Sequence, residues 1–93
     1  MRRVCIDCGI KHLAQAQVLL DESVLGYPIH RALAMGHMAE AESELIAEYL
    51  PMAEQIREER IKMQESLDYQ PDLLVLIELL WAAKYAPVKI NPN

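Results

Sequence analysis

Two cysteines and a histidine near the amino terminus have the types and spacing of metal ligands. They lie in the stretch VCIDCGIKH, in which Cys5 and Cys8 form a C-x2-C pair and His12 follows four residues later. If a helix begins near Cys8, that residue and His12 share one face, about 6 Å apart along the axis. Thiolates and imidazoles are donors that zinc prefers. The stretch therefore predicts a zinc site formed by Cys5, Cys8 and His12.

The fourth ligand of this site is predicted from the pairing of the first two helices. If they form an antiparallel hairpin about residue 27, His12 faces Glu42, with Glu44 and Glu40 nearby. His37 is expected roughly 7 Å away from that level by helical rise. Glu44 is the expected fourth protein ligand, and a water molecule or a residue from a second subunit are the alternatives.

The two cysteines also have other interpretations. They can form a redox-active or disulfide-bonded pair, although C-x2-C oxidoreductases place the pair after a strand in a βαβ unit. They can also pack as small apolar side chains with no special role. The sequence shows no secretory signal, which favours a reducing compartment, and there a disulfide is the less expected use of Cys5 and Cys8.

A second cluster of polar side chains occurs where the second helix is expected to begin. Tyr27, His30 and Arg31 are close in sequence, and His37 follows seven residues after His30 on nearly the same helical face. The first turn of a helix has unpaired N–H groups that attract anions. These four residues therefore predict a site for phosphate or carboxylate, as on a nucleotide or phosphorylated metabolite. The alternative is a capped helix with solvated charges.

Prolines and glycines divide the chain into segments of helical length. Pro28, Pro51 and Pro71 each suit a first helical turn, where no N–H is needed, and Gly26 suits a helix stop. Strands are not expected, because no segment alternates polar and apolar residues with period two. The sequence predicts one all-α domain over residues 1–93, a small antiparallel bundle of three to four helices that self-associates. The expected elements are helices at 8–25 (with Asp7 as N-cap), 28–50, 51–68 and 71–86, and a loose tail at 87–93.

The last helical segment, PDLLVLIELLWAAKYA, is apolar on nearly every side. A helix of this kind has to be covered on most of its surface. A chain of 93 residues offers few other helices for this purpose. Self-association through the segment is therefore predicted, with an interface formed by Leu74, Ile77, Trp81 and Tyr85.

Composition limits the classes of partner. The net charge of −5 argues against nucleic acid as the main partner, since phosphate binding needs a clustered basic face. The longest apolar stretch is too short to span a bilayer and contains Glu78, so no membrane partner is expected and a cytoplasmic location is predicted. The sequence contains no phosphate loop, dinucleotide fingerprint or HExxH motif.

Three functional hypotheses follow from these features. The first is a non-catalytic, oligomeric helical module that acts as an adaptor, regulator or inhibitor of another macromolecule, with a structural zinc at the C-x2-C pair. The second is a binder of a small anionic ligand at the cluster around His30 and Arg31. The third is a metal-dependent hydrolase with an open zinc position, in which Glu40 or Glu44 acts as general base.

Overall fold

Four α-helices form the part of the chain that the computed structural model describes, residues 5–85. α1 packs mainly against α2, α3 packs on α2, and α4 packs on α1. No strand occurs between residues 5 and 85, so the predicted all-α bundle is confirmed. The predicted loose tail lies outside the described residues. The helices are α1 (Ile6–Val24), α2 (Ile29–Leu45), α3 (Leu50–Glu65) and α4 (Leu74–Tyr85).

α1 begins two residues earlier than predicted because a cysteine caps it. The backbone of Cys5 is extended, with φ −131° and ψ 97°, and its Sγ accepts a hydrogen bond of 3.0 Å from the Cys8 N–H. Asp7, the predicted N-cap, lies instead in the first turn, where a carboxylate is favoured by the helix dipole. Aspartate is the more common N-cap, which is why the sequence pointed to it.

The turn between α1 and α2 ends α1 at the predicted glycine. Gly26 has φ +121°, a left-handed conformation that glycine adopts without a steric penalty. The Gly26 N–H donates to the Ser23 carbonyl at 3.4 Å, and the Tyr27 N–H donates to the Glu22 carbonyl at 3.3 Å. This pair of hydrogen bonds is the Schellman arrangement that closes helix C-termini. The prediction of Gly26 as a helix stop is confirmed.

α2 and α3 are separate helices, which answers a question that the sequence left open. α2 ends at Leu45, five residues before the predicted end, and a turn leads to Tyr49, whose φ of −116° and ψ of 53° are not helical. Pro51 lies in the first turn of α3, where its missing N–H costs no hydrogen bond. The proline therefore begins a new helix and does not kink a continuous one.

The linker between α3 and α4 is held against α1 by two amide side chains. Gln70 donates a hydrogen bond of 3.0 Å to the carbonyl of Leu20, and the Gln17 Oε1 accepts one of 2.8 Å from the Leu73 N–H. Pairing these backbone groups avoids the cost of leaving them unsatisfied near the core. The linker takes up the residues before position 74, so α4 starts at Leu74, three residues later than predicted.

One hydrophobic core joins all four helices. α1 and α2 approach closely at Gly9, where an added Cβ would lie 3.0 Å from side-chain atoms of the buried Leu45. α2 also contributes Ala34 and Ala41, which are fully buried, to the core. The contact at Gly9 fixes the antiparallel register of α1 and α2. The buried side chains that form this core are Ile10, Leu13, Ala16, Leu20, Ala34, Met38, Ala41, Leu45, Ala53, Ile56, Met63, Leu73, Leu76 and Leu80.

Candidate functional site

The predicted cysteine pair lies at the start of α1, and its two sulfur atoms are joined in a disulfide. The Cα atoms are 5.1 Å apart, a normal separation for a disulfide, because Cys8 follows the extended Cys5 within one turn. Zinc binds the thiolate form of cysteine, which neither sulfur has in this oxidised state. The zinc site predicted at Cys5, Cys8, His12 and Glu44 thus stays a prediction that concerns the reduced chain.

The other two members of that predicted site, His12 and Glu44, lie together between α1 and α2, and Glu40 joins them. One ring nitrogen of His12 and one carboxylate oxygen from each glutamate all lie within 4.8 Å of one another. The Nε2 atom of His12 is 4.0 Å from Glu40 Oε1. Glu40 and Glu44 are one turn apart on α2, so their carboxylates share a face. The cysteines are not part of this group.

The ring of His37 contacts that of His12 across the offset of roughly 7 Å that helical rise predicts between their levels. The two Nδ1 atoms are 3.0 Å apart, and the rings are tilted by 32° with centroids separated by 5.3 Å. The expectation compared backbone levels, whereas imidazole rings extend several ångströms from the backbone and can bridge such an offset. At this distance one nitrogen donates its hydrogen to the other.

Of the glutamates of α2 near His12, one pairs with an arginine and two do not pair with a lysine or arginine of the described residues. Glu42, on the neighbouring face of α2, pairs with Arg60 of α3 at 2.6 Å. Within residues 5–85, no lysine or arginine nitrogen lies within 4.0 Å of the carboxylate of Glu40 or Glu44. Glu44 and His12 are half-buried, and Glu40 is exposed. Two carboxylates therefore face one imidazole without a cationic side chain from the described part of the chain.

The predicted anion-binding cluster is partly assembled around the start of α2. The rings of Tyr27 and His30 are stacked, with an interplanar angle of 17° and 5.4 Å between centroids. His30 Nδ1 lies 2.8 Å from a carboxylate oxygen of Glu22, so an acid already occupies the position next to this imidazole. His37, which was predicted to belong to this cluster, lies beside His12 instead.

Arg31, the cationic member of the predicted cluster, turns towards the end of α3. Its Nη2 donates hydrogen bonds to the backbone carbonyls of Met63 at 3.2 Å and Ser66 at 2.9 Å, and its Nη1 donates to Gln70 at 3.4 Å. Carbonyl groups at a helix C-terminus have no partner within the helix, so a guanidinium there completes their hydrogen bonding. Arg31 acts as a cap for α3, and the anion site stays a prediction.

The side chains predicted to form an interface on α4 are largely exposed. The exposed fractions are 53% for Leu74, 43% for Trp81 and 65% for Tyr85. The rings of Trp81 and Tyr85 stack almost parallel, with 5.1 Å between centroids. Ile77 differs from these residues, because it is half-buried and packs against the core. The monomer thus leaves most of the predicted interface uncovered, and its role stays a prediction.

Two further residues extend the exposed surface of α4. Val75 is 57% exposed and Leu79 is 44% exposed, and neither was predicted from the sequence. The signal that could have found them is helical spacing. Once Leu76 and Leu80 are assigned to the core, the residue before each lies about 100° round the helix from a buried position. The α4 face is defined here as Leu74, Val75, Leu79, Trp81 and Tyr85.

Lys84 connects the edge of the α4 face to α1. Its Nζ donates a hydrogen bond to the carboxylate of Asp7 and lies 5.2 Å from the ring centroid of Trp81 and 5.1 Å from that of Tyr85. The hydrogen bond to Asp7 raises the pKa of Lys84 above its ordinary value. The contact between Lys84 and Asp7 lies between the end of α4 and the start of α1.

Comparisons of this chain with protein-family models, with curated protein sequences and with solved structures found no match. None of the helices within residues 5–85 is both long enough and apolar enough to cross a bilayer. The described residues define a small all-α bundle with a histidine–glutamate cluster between α1 and α2 and an exposed apolar face on α4.

Proposed function

We propose that this protein is a helical binding module that self-associates through the α4 face. The supporting observation is that five large apolar side chains on one helix are each 43–65% exposed. Together they offer on the order of 500 Å² of apolar surface, near the upper end of what the largest patch on a monomer presents. Patches of this size on monomers are often functional.

A second copy of the chain is the proposed occupant of the α4 face. Two α4 helices that pair antiparallel about a two-fold axis cover each other with the same residues, which is the simplest closed assembly. The total buried area is then roughly 1,000 Å², close to the lower limit for a specific interface. Interfaces of this size belong to weak or transient complexes, so dissociation in the micromolar range is expected.

The role proposed for this assembly is that of an adaptor, regulator or inhibitor of another macromolecule. A dimer presents two copies of every remaining surface, which raises the effective concentration of the second binding event. The cytoplasmic location predicted from the sequence is kept as part of the proposal, and there Cys5 and Cys8 are expected in the reduced form. The anionic-ligand hypothesis has less support, because Arg31 already binds carbonyl groups of α3.

Sedimentation velocity at tens of micromolar tests the association. The wild-type chain is expected to sediment with a mass near twice 10.6 kDa. Val75→Glu is expected to give monomers, because it replaces an exposed apolar side chain of the α4 face with a carboxylate. Val18→Glu is the matched control, since Val18 is 56% exposed on α1 and Val75 is 57% exposed on α4.

The two variants also show whether association uses the α4 face or the surface of α1 around Val18. Circular dichroism should show unchanged helix content in both, since neither valine is buried. The proposal is wrong if the wild-type chain stays monomeric throughout this concentration range. It is also wrong if Val18→Glu dissociates the dimer while Val75→Glu leaves it intact, because association would then use the α1 surface.

A further inference from the structure

We infer that His12, Glu40 and Glu44 form a binding site for a divalent transition-metal ion of the zinc type, with His37 as the residue that positions His12. The site does not depend on association through the α4 face. It also differs from the zinc site that the sequence predicts, because it requires neither cysteine and replaces them with Glu40.

The distances in the group suit an ion placed between the three side chains. Imidazole nitrogen and carboxylate oxygen bind zinc at about 2.0–2.2 Å, so two ligand atoms in a tetrahedral arrangement around one ion are about 3.4 Å apart. The 4.0 Å between His12 Nε2 and Glu40 Oε1 is too long for a hydrogen bond and is about 0.6 Å longer than this separation. The widest separation that the group allows, 4.8 Å, closes with a movement of about 1.4 Å. The side chain of Glu40 is 63% exposed and is free to make it.

His37 prepares His12 for this role through the contact between the two Nδ1 atoms. When His12 donates its Nδ1 hydrogen to Nδ1 of His37, at 3.0 Å, its Nε2 atom keeps a lone pair. Nε2 is the atom that faces Glu40. Histidines that bind metals commonly donate their other N–H to a neighbouring group, which fixes both tautomer and ring orientation. His37 is the neighbouring group that accepts this N–H from His12. The nitrogens of His37 do not belong to the ligand group.

The donor set indicates the class of ion. One imidazole and two carboxylates suit zinc, manganese or iron(II), whereas calcium and magnesium prefer oxygen ligands throughout. The two negative charges have no lysine or arginine within 4.0 Å in residues 5–85, so a dication would balance them. Its three protein ligands come from both α1 and α2, so the ion would hold the two helices together and leave further positions for water.

Calorimetric titration of the full chain with zinc chloride tests the site. One ion per chain is expected, and His12→Gln and Glu44→Gln should each weaken binding by more than about tenfold. His37→Gln should weaken it about 10–100-fold, the usual effect of losing a group that orients a ligand. A positioning role for His37 further requires that the thermal midpoint of the metal-free chain changes much less than that of the zinc-loaded chain.

Two control variants separate this site from the alternatives. His30→Gln removes the other histidine that faces a glutamate, Glu22, and should leave zinc binding unchanged. The double variant Cys5→Ser/Cys8→Ser should also bind zinc as the wild-type chain does, and cobalt(II) bound to the wild-type chain should show no thiolate charge-transfer absorption.

The inference is overturned by any of three results. The first is the absence of stoichiometric zinc binding to the wild-type chain. The second is binding that survives His12→Gln, and the third is binding that disappears in the double cysteine variant, which would assign the ion to the thiolates. Circular dichroism of each variant without metal confirms that a loss of binding is not a loss of fold.

Discussion

The two glycines inside helices allow a strict test of how α1 and α2 fit together, because the same substitution should have opposite effects at the two positions. Alanine is favoured over glycine in a helix interior by about 1 kcal/mol. At Gly36 an added Cβ meets no atom within 4 Å, so nothing opposes this gain. Gly36→Ala is therefore expected to raise the free energy of unfolding by about 1 kcal/mol.

At Gly9 the same methyl group enters the contact between α1 and α2. The new Cβ would lie 3.0 Å from Cγ and Cδ2 of Leu45, closer than carbon atoms normally approach. Leu45 is fully buried and has little room to move. Overpacking of this kind costs about 1–3 kcal/mol, which exceeds the gain in helix propensity of about 1 kcal/mol. Gly9→Ala is therefore expected to lower the free energy of unfolding by about 1 kcal/mol.

Urea unfolding followed by far-ultraviolet circular dichroism measures the difference between the variants. The experiment should be run at a protein concentration below that of any association, so that only the fold of the monomer contributes. The midpoint should shift in opposite directions while the slope m stays constant. If Gly9→Ala stabilises the protein as much as Gly36→Ala does, α1 and α2 do not meet closely at Leu45. The register that places His12 opposite Glu40 would then be wrong as well.

Two further predictions concern contacts with α3 and the segment that follows it. Arg31→Ala should lower the free energy of unfolding by about 1 kcal/mol, because it removes a charged donor from partly exposed carbonyls at the end of α3. Urea unfolding measures this effect. An equal effect from Arg57→Ala, which removes an exposed arginine of α3, would contradict the prediction. The hydrogen bond from Tyr69 to Glu59 raises the pKa of Tyr69 above its ordinary value of 10.0, so the folded chain holds this proton more tightly than the unfolded chain does. The stability that this hydrogen bond provides is present below pH 10 and is lost as the pH rises through the folded-state pKa of Tyr69. The free energy of unfolding, measured across this pH range, should therefore decline less in Tyr69→Phe than in the wild-type chain.

Features that depend on neighbouring residues were predictable from the sequence. Gly26 ends α1 because a left-handed turn requires glycine, and no distant residue changes that requirement. Pro51 marks the start of a helix for a similarly local reason, the absence of its N–H. The all-α class follows from many such signals in agreement. The broad apolar surface of α4 was visible as composition, and its exposed part became clear once the residues that pack on α1 were known.

Features that depend on the pairing of distant residues were not predictable in the same way. His37 meets His12 because of the exact side-chain reach across α1 and α2, which an estimate from helical rise alone does not include. Arg31 binds carbonyls at the end of α3, which are more than thirty positions away in the chain. No local motif around Arg31 predicts these partners. The disulfide between Cys5 and Cys8 depends on oxidation state, which the sequence does not encode.

The contact between Asp7 and Lys84 brings the beginning of α1 next to the end of α4. The first turn of α1 and the last turn of α4 therefore lie side by side on the bundle. This is the arrangement found in domains that can be inserted into a surface loop of a host protein without forcing its flanking segments apart. For the same reason a short peptide could join the two positions and new ends could be opened in the turn at Gly26, giving a permuted chain with the same interior.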